Sequence, residues 1–249
     1  MKNVIAPYLV ILLLIFTSCY SDTGTSGDPS AAGQGGSLAR FTISGNYLYT
    51  LDEHQLHTFD VTQAANPVSS STGEFYNGLE TVFTNDGYLY IGTRDGMMIY
   101  DLSNPDQPDH VSTYQHVVSC DPVVVKDGYA FVTLNSEHFW CGRHVNELQI
   151  IDISDKYNPK KIKSYSMNSP KGLGVKDNLL FVCDDALEVY NLDNLPELGF
   201  VEEFKIQARD VIPMSEILLV IGKDGLRQYS YETNSITLIS EIKFGKATD

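Results

Sequence analysis

Four charged side chains stand at equivalent positions of an internal sequence repeat, where they could bind a cation or a polar ligand. Each lies eight residues before an apolar triplet that recurs along the chain: Glu80, Asp121, Lys171 and Asp210. Carboxylate oxygens suit hard cations such as Ca²⁺, and clustered acids are costly unless they are solvated or paired. The sequence leaves two alternatives open. In one, these acids line a solvated opening where Lys171 and Arg209 balance their charge. In the other, they form a site for Ca²⁺ or a polar ligand.

A second group of candidate residues lies in an insertion of the third repeat copy, residues 135–147. This insertion carries the only Trp of the chain and two of its six His. Binding residues concentrate in long loops on rigid scaffolds, and Trp and Arg are frequent interface anchors. The candidate ligand-binding side chains there are His138, Trp140, Arg143 and His144. The alternative is that Trp140 only caps the exposed end of its sheet.

The cysteines of the third copy predict a disulfide. Cys120 precedes the first strand of this copy and Cys141 follows its second strand, so both lie at one end of a meander. A bond between them closes a loop of about 20 residues and stabilises the fold by roughly 3 kcal/mol. A zinc site from these cysteines with His138 and His144 is disfavoured, because no second ligand pair supports the spacing. Cys183 ends an apolar strand and is predicted to be a buried thiol.

No catalytic residue is assigned from motifs. The sequence contains no nucleophile elbow, HExxH zinc motif, phosphate loop or dinucleotide-binding fingerprint. Enzymes can assemble their sites from residues dispersed along the chain, so the absence of these motifs does not exclude an enzymatic function. It does favour a binding function.

The repeat that positions these residues consists of short strands and tight turns. Its apolar triplets begin at Tyr47, Tyr88, Tyr129, Leu179 and Leu218, and most follow a turn rich in Gly, Asp or Asn. One strand precedes each turn and two more follow the triplet, which indicates a four-stranded meander. The five copies span about 38–76, 79–116, 119–166, 170–205 and 208–243.

Five copies of this size predict an all-β fold, a five-bladed β-propeller of four-stranded antiparallel meanders. The first and last copies each contain four strands, so the ring is expected to close by side-chain packing between blades and not by a swapped strand. The alternative is an open sandwich of irregular hairpins, which the regular spacing disfavours.

The third strand of the copies carries a consensus. Tyr-Asp-Leu-Ser-Asn-Pro at residues 100–105 matches Phe-Asp-Val at 59–61 with Asn-Pro at 66–67, and Ile-Asp-Ile-Ser at 151–154 with Asn-Pro at 158–159. This pattern resembles the LVIVD repeat, a propeller-type repeat of bacterial secreted proteins and lipoproteins. The resemblance covers residues 38–243 and implies the fold, but no general biochemical activity. The Asp residues of the consensus are interpreted as turn-forming.

The N-terminus predicts export and a lipid anchor. An apolar run from Val4 to Phe16 follows Lys2, which is typical of a signal peptide. Phe-Thr-Ser-Cys at residues 16–19 resembles the lipobox of bacterial lipoproteins, in which the Cys is acylated and becomes the mature N-terminus. Residues 1–19 are therefore a predicted lipoprotein signal peptide with Cys19 as lipidation site, and a plain secretory signal is the alternative. The Gly- and Ser-rich residues 20–37 predict a flexible tether before the propeller at 38–249.

The net charge and the predicted export together limit the possible partners. The chain has 32 acidic and 17 basic residues, which excludes a non-specific nucleic-acid binder. The expected location is the bacterial cell envelope, lipid-anchored and extracytoplasmic. The outer membrane is favoured because Tyr20 is not the Asp that resembles an inner-membrane retention signal.

Three functions follow as hypotheses. The first is a binding or scaffolding module for an envelope protein or a saccharide. The second is an extracytoplasmic hydrolase or lyase. Its carboxylates would be Glu80, Asp121 and Asp210, at the mouth of the central channel that the five blades enclose. The third is a structural envelope lipoprotein. No cofactor beyond the Ca²⁺ alternative is implied.

Overall fold

The computed structural model describes residues 35–75, 78–115, 122–135, 145–232 and 235–245. These residues form twenty β-strands and no helix. The strands in chain order are β1 (Phe41–Ser44), β2 (Tyr47–Leu51), β3 (Gln55–Asp60), β4 (Val68–Glu74), β5 (Leu79–Asn85), β6 (Tyr88–Thr93), β7 (Gly96–Asp101), β8 (Asp109–Gln115), β9 (Val123–Lys126), β10 (Tyr129–Leu134), β11 (Glu147–Asp152), β12 (Lys160–Ser166), β13 (Leu173–Lys176), β14 (Leu179–Cys183), β15 (Leu187–Asn194), β16 (Glu197–Phe204), β17 (Asp210–Pro213), β18 (Ile217–Ile221), β19 (Gly225–Glu232) and β20 (Ser235–Lys243).

The strands form five antiparallel sheets, each made of four consecutive strands. We number these sheets blade 1 (β1–β4) to blade 5 (β17–β20). The predicted five-bladed, all-β propeller is therefore confirmed, and no blade borrows a strand from another repeat copy. The first strands of successive blades, β1, β5, β9, β13 and β17, lie side by side in that order and form the inner wall. The fourth strands form the outer rim.

The first turn of blades 2 and 3 explains why their hairpins form where the repeat predicts them. Asp86 and Gly87 have φ angles of 47° and 74°, and Asp127 and Gly128 have φ angles of 50° and 79°. Two successive residues with positive φ are what a tight hairpin turn requires, and Asp-Gly adopts this conformation at low cost. The Asp-Gly dipeptides of the repeat thus fix the register of the first two strands.

Four apolar clusters hold the blades together, and each joins one blade to the next. Alternate residues of a strand face opposite neighbours, as the two-residue period of a strand demands. In β6, Leu89 and Ile91 pack toward blade 1, whereas Tyr90 packs toward blade 3. By the same alternation of side chains, Phe131 of β10 packs against blade 4. Among the described residues, no cluster joins blade 5 to blade 1.

Every fourth strand has a β-bulge, and in blades 1 to 4 the residue that follows the bulge contacts the next blade. Ser71 donates to the Asp106 carbonyl at 2.7 Å and Ser112 to the Lys156 carbonyl at 2.5 Å. At the same position, Lys163 contacts Glu197 and Glu202 accepts from the Tyr231 hydroxyl at 3.0 Å. Each of these four contacts links one blade to its successor.

Blade 5 breaks this series. The residue that follows its bulge, Ser240, donates at 2.8 Å to Gln228 of its own blade. No hydrogen bond or ion pair between described residues links β20 to blade 1. The interface between blade 5 and blade 1, which we call the seam, is therefore open at the outer rim. Among the described residues, the expected side-chain packing between blades is present at the four other interfaces.

Two alanine variants at equivalent positions, each directly after the bulge, measure this difference. Ser112→Ala should lower the free energy of unfolding by about 1 kcal/mol, because it leaves the partly buried Lys156 carbonyl without its donor. Ser240→Ala should change it by less than about 0.5 kcal/mol, as surface substitutions usually do. Urea denaturation of both variants checks this. Equal losses would contradict an open outer rim.

Candidate functional site

The N-terminal residues of the propeller bridge the seam at the inner wall. Residues 35–40, which we call the strap, lead into β1. The Ser37 hydroxyl donates to Asp210 Oδ1 at 2.9 Å, and its oxygen accepts from the Leu173 amide at 2.7 Å. The Leu38 amide donates to Asp210 Oδ2 at 3.3 Å. A single serine therefore ties blade 1 to blades 4 and 5.

Asp210 is the candidate acid whose environment is most unusual. It is the first residue of β17 and is only 3% exposed. Burial raises its pKa to about 6, although hydrogen bonds from Ser37, Leu38 and Val211 oppose the increase. Both carboxylate oxygens already accept hydrogen bonds inside the protein. Asp210 therefore holds the strap in place through these hydrogen bonds.

The glycines around Asp210 explain how the strap approaches so closely. A Cβ atom on Gly36 would lie 2.0 Å from Asp210 Oδ2, and one on Gly172 would lie 2.2 Å from Oδ1. The Gly172 amide also donates to the Arg209 carbonyl at 2.8 Å. Only residues without a side chain leave room for the carboxylate at these two positions.

The other predicted members of the charged ring have separate partners. Glu80, the second residue of β5, lies 3.7 Å from Arg94 Nε. Lys171 donates its ammonium protons to the carbonyl and the hydroxyl of Ser169, both at 2.8 Å. Arg94, rather than Lys171 or Arg209, is the cation beside Glu80. Within the described ranges, no group of three or more His, Cys, Asp or Glu side chains is arranged to hold a metal ion.

Several predicted site residues lie outside the described residues. These are Cys19, Cys120, Asp121, His138, Trp140, Cys141, Arg143 and His144. The lipidation site, the disulfide and the insertion of the third copy therefore stay predictions. Cys183 is described and is buried, and burial raises the pKa of its thiol well above the usual value.

Two polar residues of this region are not among the predicted site residues. Ser37 falls at the end of the predicted tether, yet it is only 2% exposed and belongs to the strap. Asp184 is buried and accepts the Asn168 and Ser169 amides at 3.0 and 2.5 Å, which fixes the loop before blade 4. Nothing in the repeat consensus marks either residue.

The open seam contains an apolar cleft. Its volume is ≈ 530 Å³, and its walls come from the strap and β1 on one side and from blade 5 on the other. The apolar lining residues are Leu38, Phe41, Ile43, Ile212 and Ile221. Arg209 and Asp210 stand at one end. This cleft occupies the place where the other interfaces have a packed core.

The repeat consensus now has a structural meaning. The Asp of the motif begins a turn in each of the first three copies, because Asp60, Asp101 and Asp152 accept the amide two residues later. The LVIVD repeat matches residues 81–116 and 119–167. The chain carries LVIVD repeats. The matched segments coincide with blades 2 and 3 of the LVIVD-repeat propeller.

Solved structures share the fold of this LVIVD-repeat chain at low identity. A candidate 6-phosphogluconolactonase from Bacteroides fragilis is 13% identical with a TM-score of 0.63, covering 83% of this chain and 70% of that chain. A periplasmic gluconolactonase from Pseudomonas aeruginosa is 13% identical with a TM-score of 0.60, covering 82% and 69%. A functionally unknown protein from Desulfotomaculum acetoxidans is 10% identical with a TM-score of 0.65, covering 88% and 71%. At these identities the likeness shows the fold alone. No curated protein matches the sequence.

Proposed function

We propose that this LVIVD-repeat propeller is a membrane-anchored, extracytoplasmic binding module that recruits a protein partner through β20. The observation that carries the proposal is the exposed apolar surface of blade 5. Leu238, Ile239, Ile242 and Phe244 are 50%, 55%, 63% and 53% exposed. Large exposed apolar patches on soluble domains mark interaction sites.

The edge of blade 5 lacks the features that discourage pairing with another strand. Charged side chains on an edge strand, lysines above all, keep other strands away. The outer strand of blade 3, β12, carries Lys160, Lys161 and Lys163. In β20, the only charged residues are Glu241 and Lys243, near its end. At nine residues, β20 is also long enough to pair with an extended segment.

The chemistry of this surface favours a protein over a saccharide. Its exposed side chains are mainly aliphatic, and they would leave sugar hydroxyls without hydrogen-bond partners. An extended protein segment satisfies the free edge of β20 with its backbone and covers the aliphatic side chains with its own. The proposed partner is therefore an envelope protein that presents an apolar β-strand.

The anchor in this proposal is the acylated Cys19. The Gly- and Ser-rich residues 20–34 act as the tether that leaves the propeller free to reach its partner. In the described residues, no helix is long and apolar enough to span a membrane. A single acyl signal, with the tether, supplies the attachment in this arrangement.

A matched pair of positions tests the partner. Ile239 of β20 and Ile162 of β12 are the bulged residues of their strands. A photo-crosslinking residue is placed at either position in the full chain, in living cells of the source organism. A protein captured at position 239 is purified, and its affinity is measured for the wild type, Ile239→Asp and Ile162→Asp. We expect at least tenfold weaker binding for Ile239→Asp alone. Equal affinities, or no capture at position 239, would refute the proposal.

A hydrolase is the second candidate, and Asp210 is the observation that favours it. A carboxyl with a pKa raised to about 6 at the end of a cleft is typical of acid–base sites. Three structures of similar fold carry the name of a lactonase. Hydrolysis of 6-phosphogluconolactone above the spontaneous rate, abolished by Asp210→Asn in a folded protein, would favour this function over binding.

A further inference from the structure

The cleft of the seam is built to receive an apolar ligand. Ile212 and Ile221 form its blade 5 wall, and Phe41 and Ile43 of β1 form the opposite wall. Phe41 is exposed although it belongs to an innermost strand, and the equivalent strands of the other blades are mainly buried. A cleft of ≈ 530 Å³ falls within the range of small-molecule sites.

One end of the cleft carries a cation that is free to bind a ligand. The backbone of Arg209 bonds to Ile221 and Gly172, but its exposed side chain forms no hydrogen bond or ion pair with any described residue. The adjacent Asp210 cannot neutralise it at short range, because both oxygens of this acid are turned to the strap and to Val211. The site therefore combines apolar walls with a single accessible guanidinium.

We propose that the seam binds a fatty acid, with the acyl chain between β1 and blade 5 and the carboxylate on Arg209. A carboxylate matches the planar donor array of a guanidinium. An acyl chain covers the apolar walls without burying any unpaired polar atom, which a saccharide of the same volume would do. This proposal uses no residue of β20 and does not rest on the protein-partner function.

Chain length and head group test the site separately. The full chain with Cys19→Ser, which has no acylated cysteine, is titrated calorimetrically with hexanoate, octanoate, decanoate and dodecanoate. Affinity should increase up to about fourfold for each added methylene until the cleft is filled. Arg209→Gln should weaken decanoate binding at least tenfold and leave decanol binding unchanged.

Ile43→Asp is the wall variant, and Ile239→Asp is its matched control on β20. Ile43→Asp places a charge in the cleft at a position that is already partly exposed, and it should abolish binding of every chain length. Ile239→Asp should bind like the parent. A fatty acid that binds Ile43→Asp normally, or that shows no saturable binding to the parent, would overturn the proposal. Equal effects of Arg209→Gln on acid and alcohol would also overturn it.

The natural anchor is a second source of acyl chains, and the acylated full chain distinguishes it. An amide-linked acyl chain has no carboxylate for Arg209. If fatty acid binds the acylated protein as tightly as the Cys19→Ser protein, the cleft is open to free ligand, as proposed. If acylation alone blocks decanoate and Arg209→Gln has no effect, the occupant is the protein's own anchor and the proposal fails.

Discussion

Asp210→Asn should remove a loss of stability that the wild-type protein undergoes between about pH 4 and pH 6. The wild-type carboxyl is buried and its pKa is raised from 3.8 to about 6. The folded protein therefore binds a proton more tightly than the unfolded chain does. The stabilisation from this proton is complete below pH 3.8 and is lost as the pH rises through 6.

The shift corresponds to about 3 kcal/mol between the two ends of this pH range. Asparagine keeps an oxygen for Ser37 and Val211 but gives up the acceptor of the Leu38 amide, which costs about 1 kcal/mol. At pH 7, Asp210→Asn should therefore raise the free energy of unfolding by about 2 kcal/mol. At pH 4 the advantage should disappear.

Urea denaturation of both proteins at several pH values measures the difference. Partly buried acids such as Asp101 and Asp152 have lowered pKa values, because Ser103 and Ser154 donate to them, and they affect stability in the opposite direction. They are present in both proteins, so the difference between the two curves isolates Asp210. A difference that does not change between pH 4 and pH 7 would contradict the buried carboxylate.

The fold was predictable from the repeat, because each copy contains the residues that its turns and strands require of the backbone. Asp-Gly turns such as Asp127-Gly128 and strands such as Val123–Lys126 recur at regular intervals, and both depend on local sequence. The same periodicity placed Glu80 and Asp210 at the start of innermost strands. It could not predict their partners, because Arg94 and Ser37 lie outside the aligned positions.

The seam was not predictable for a different reason. Ser71, Ser112 and Ser240 are the same residue type at the same position, directly after the bulge, so the sequence suggests equal roles. Whether a serine reaches a neighbouring blade depends on how the ring closes, which is a property of the whole assembly. Ser37 was missed because its flanking glycines are typical of a linker. In the structure, one of those glycines, Gly36, allows the strap to reach Asp210.

Ser37→Ala should destabilise the protein by about 3 kcal/mol at pH 7. The substitution removes a hydrogen bond to a buried carboxylate and leaves the Leu173 amide without an acceptor. Because the Ser37 hydroxyl lowers the pKa of Asp210, its removal should also move the pH-dependent loss of stability above pH 6.

A double-mutant cycle separates the two effects of Ser37→Ala. In the Asp210→Asn background, the serine no longer stabilises a charge, so its removal should cost only about 1 to 2 kcal/mol. The remaining difference is the coupling between Ser37 and the charged Asp210. Ser240→Ala serves as the control, since its hydroxyl bonds within its own blade. Additive losses at pH 7 would show that Ser37 and Asp210 do not act together, and a strap fastened by this pair would then be the wrong description of how blades 1, 4 and 5 are joined at the inner wall.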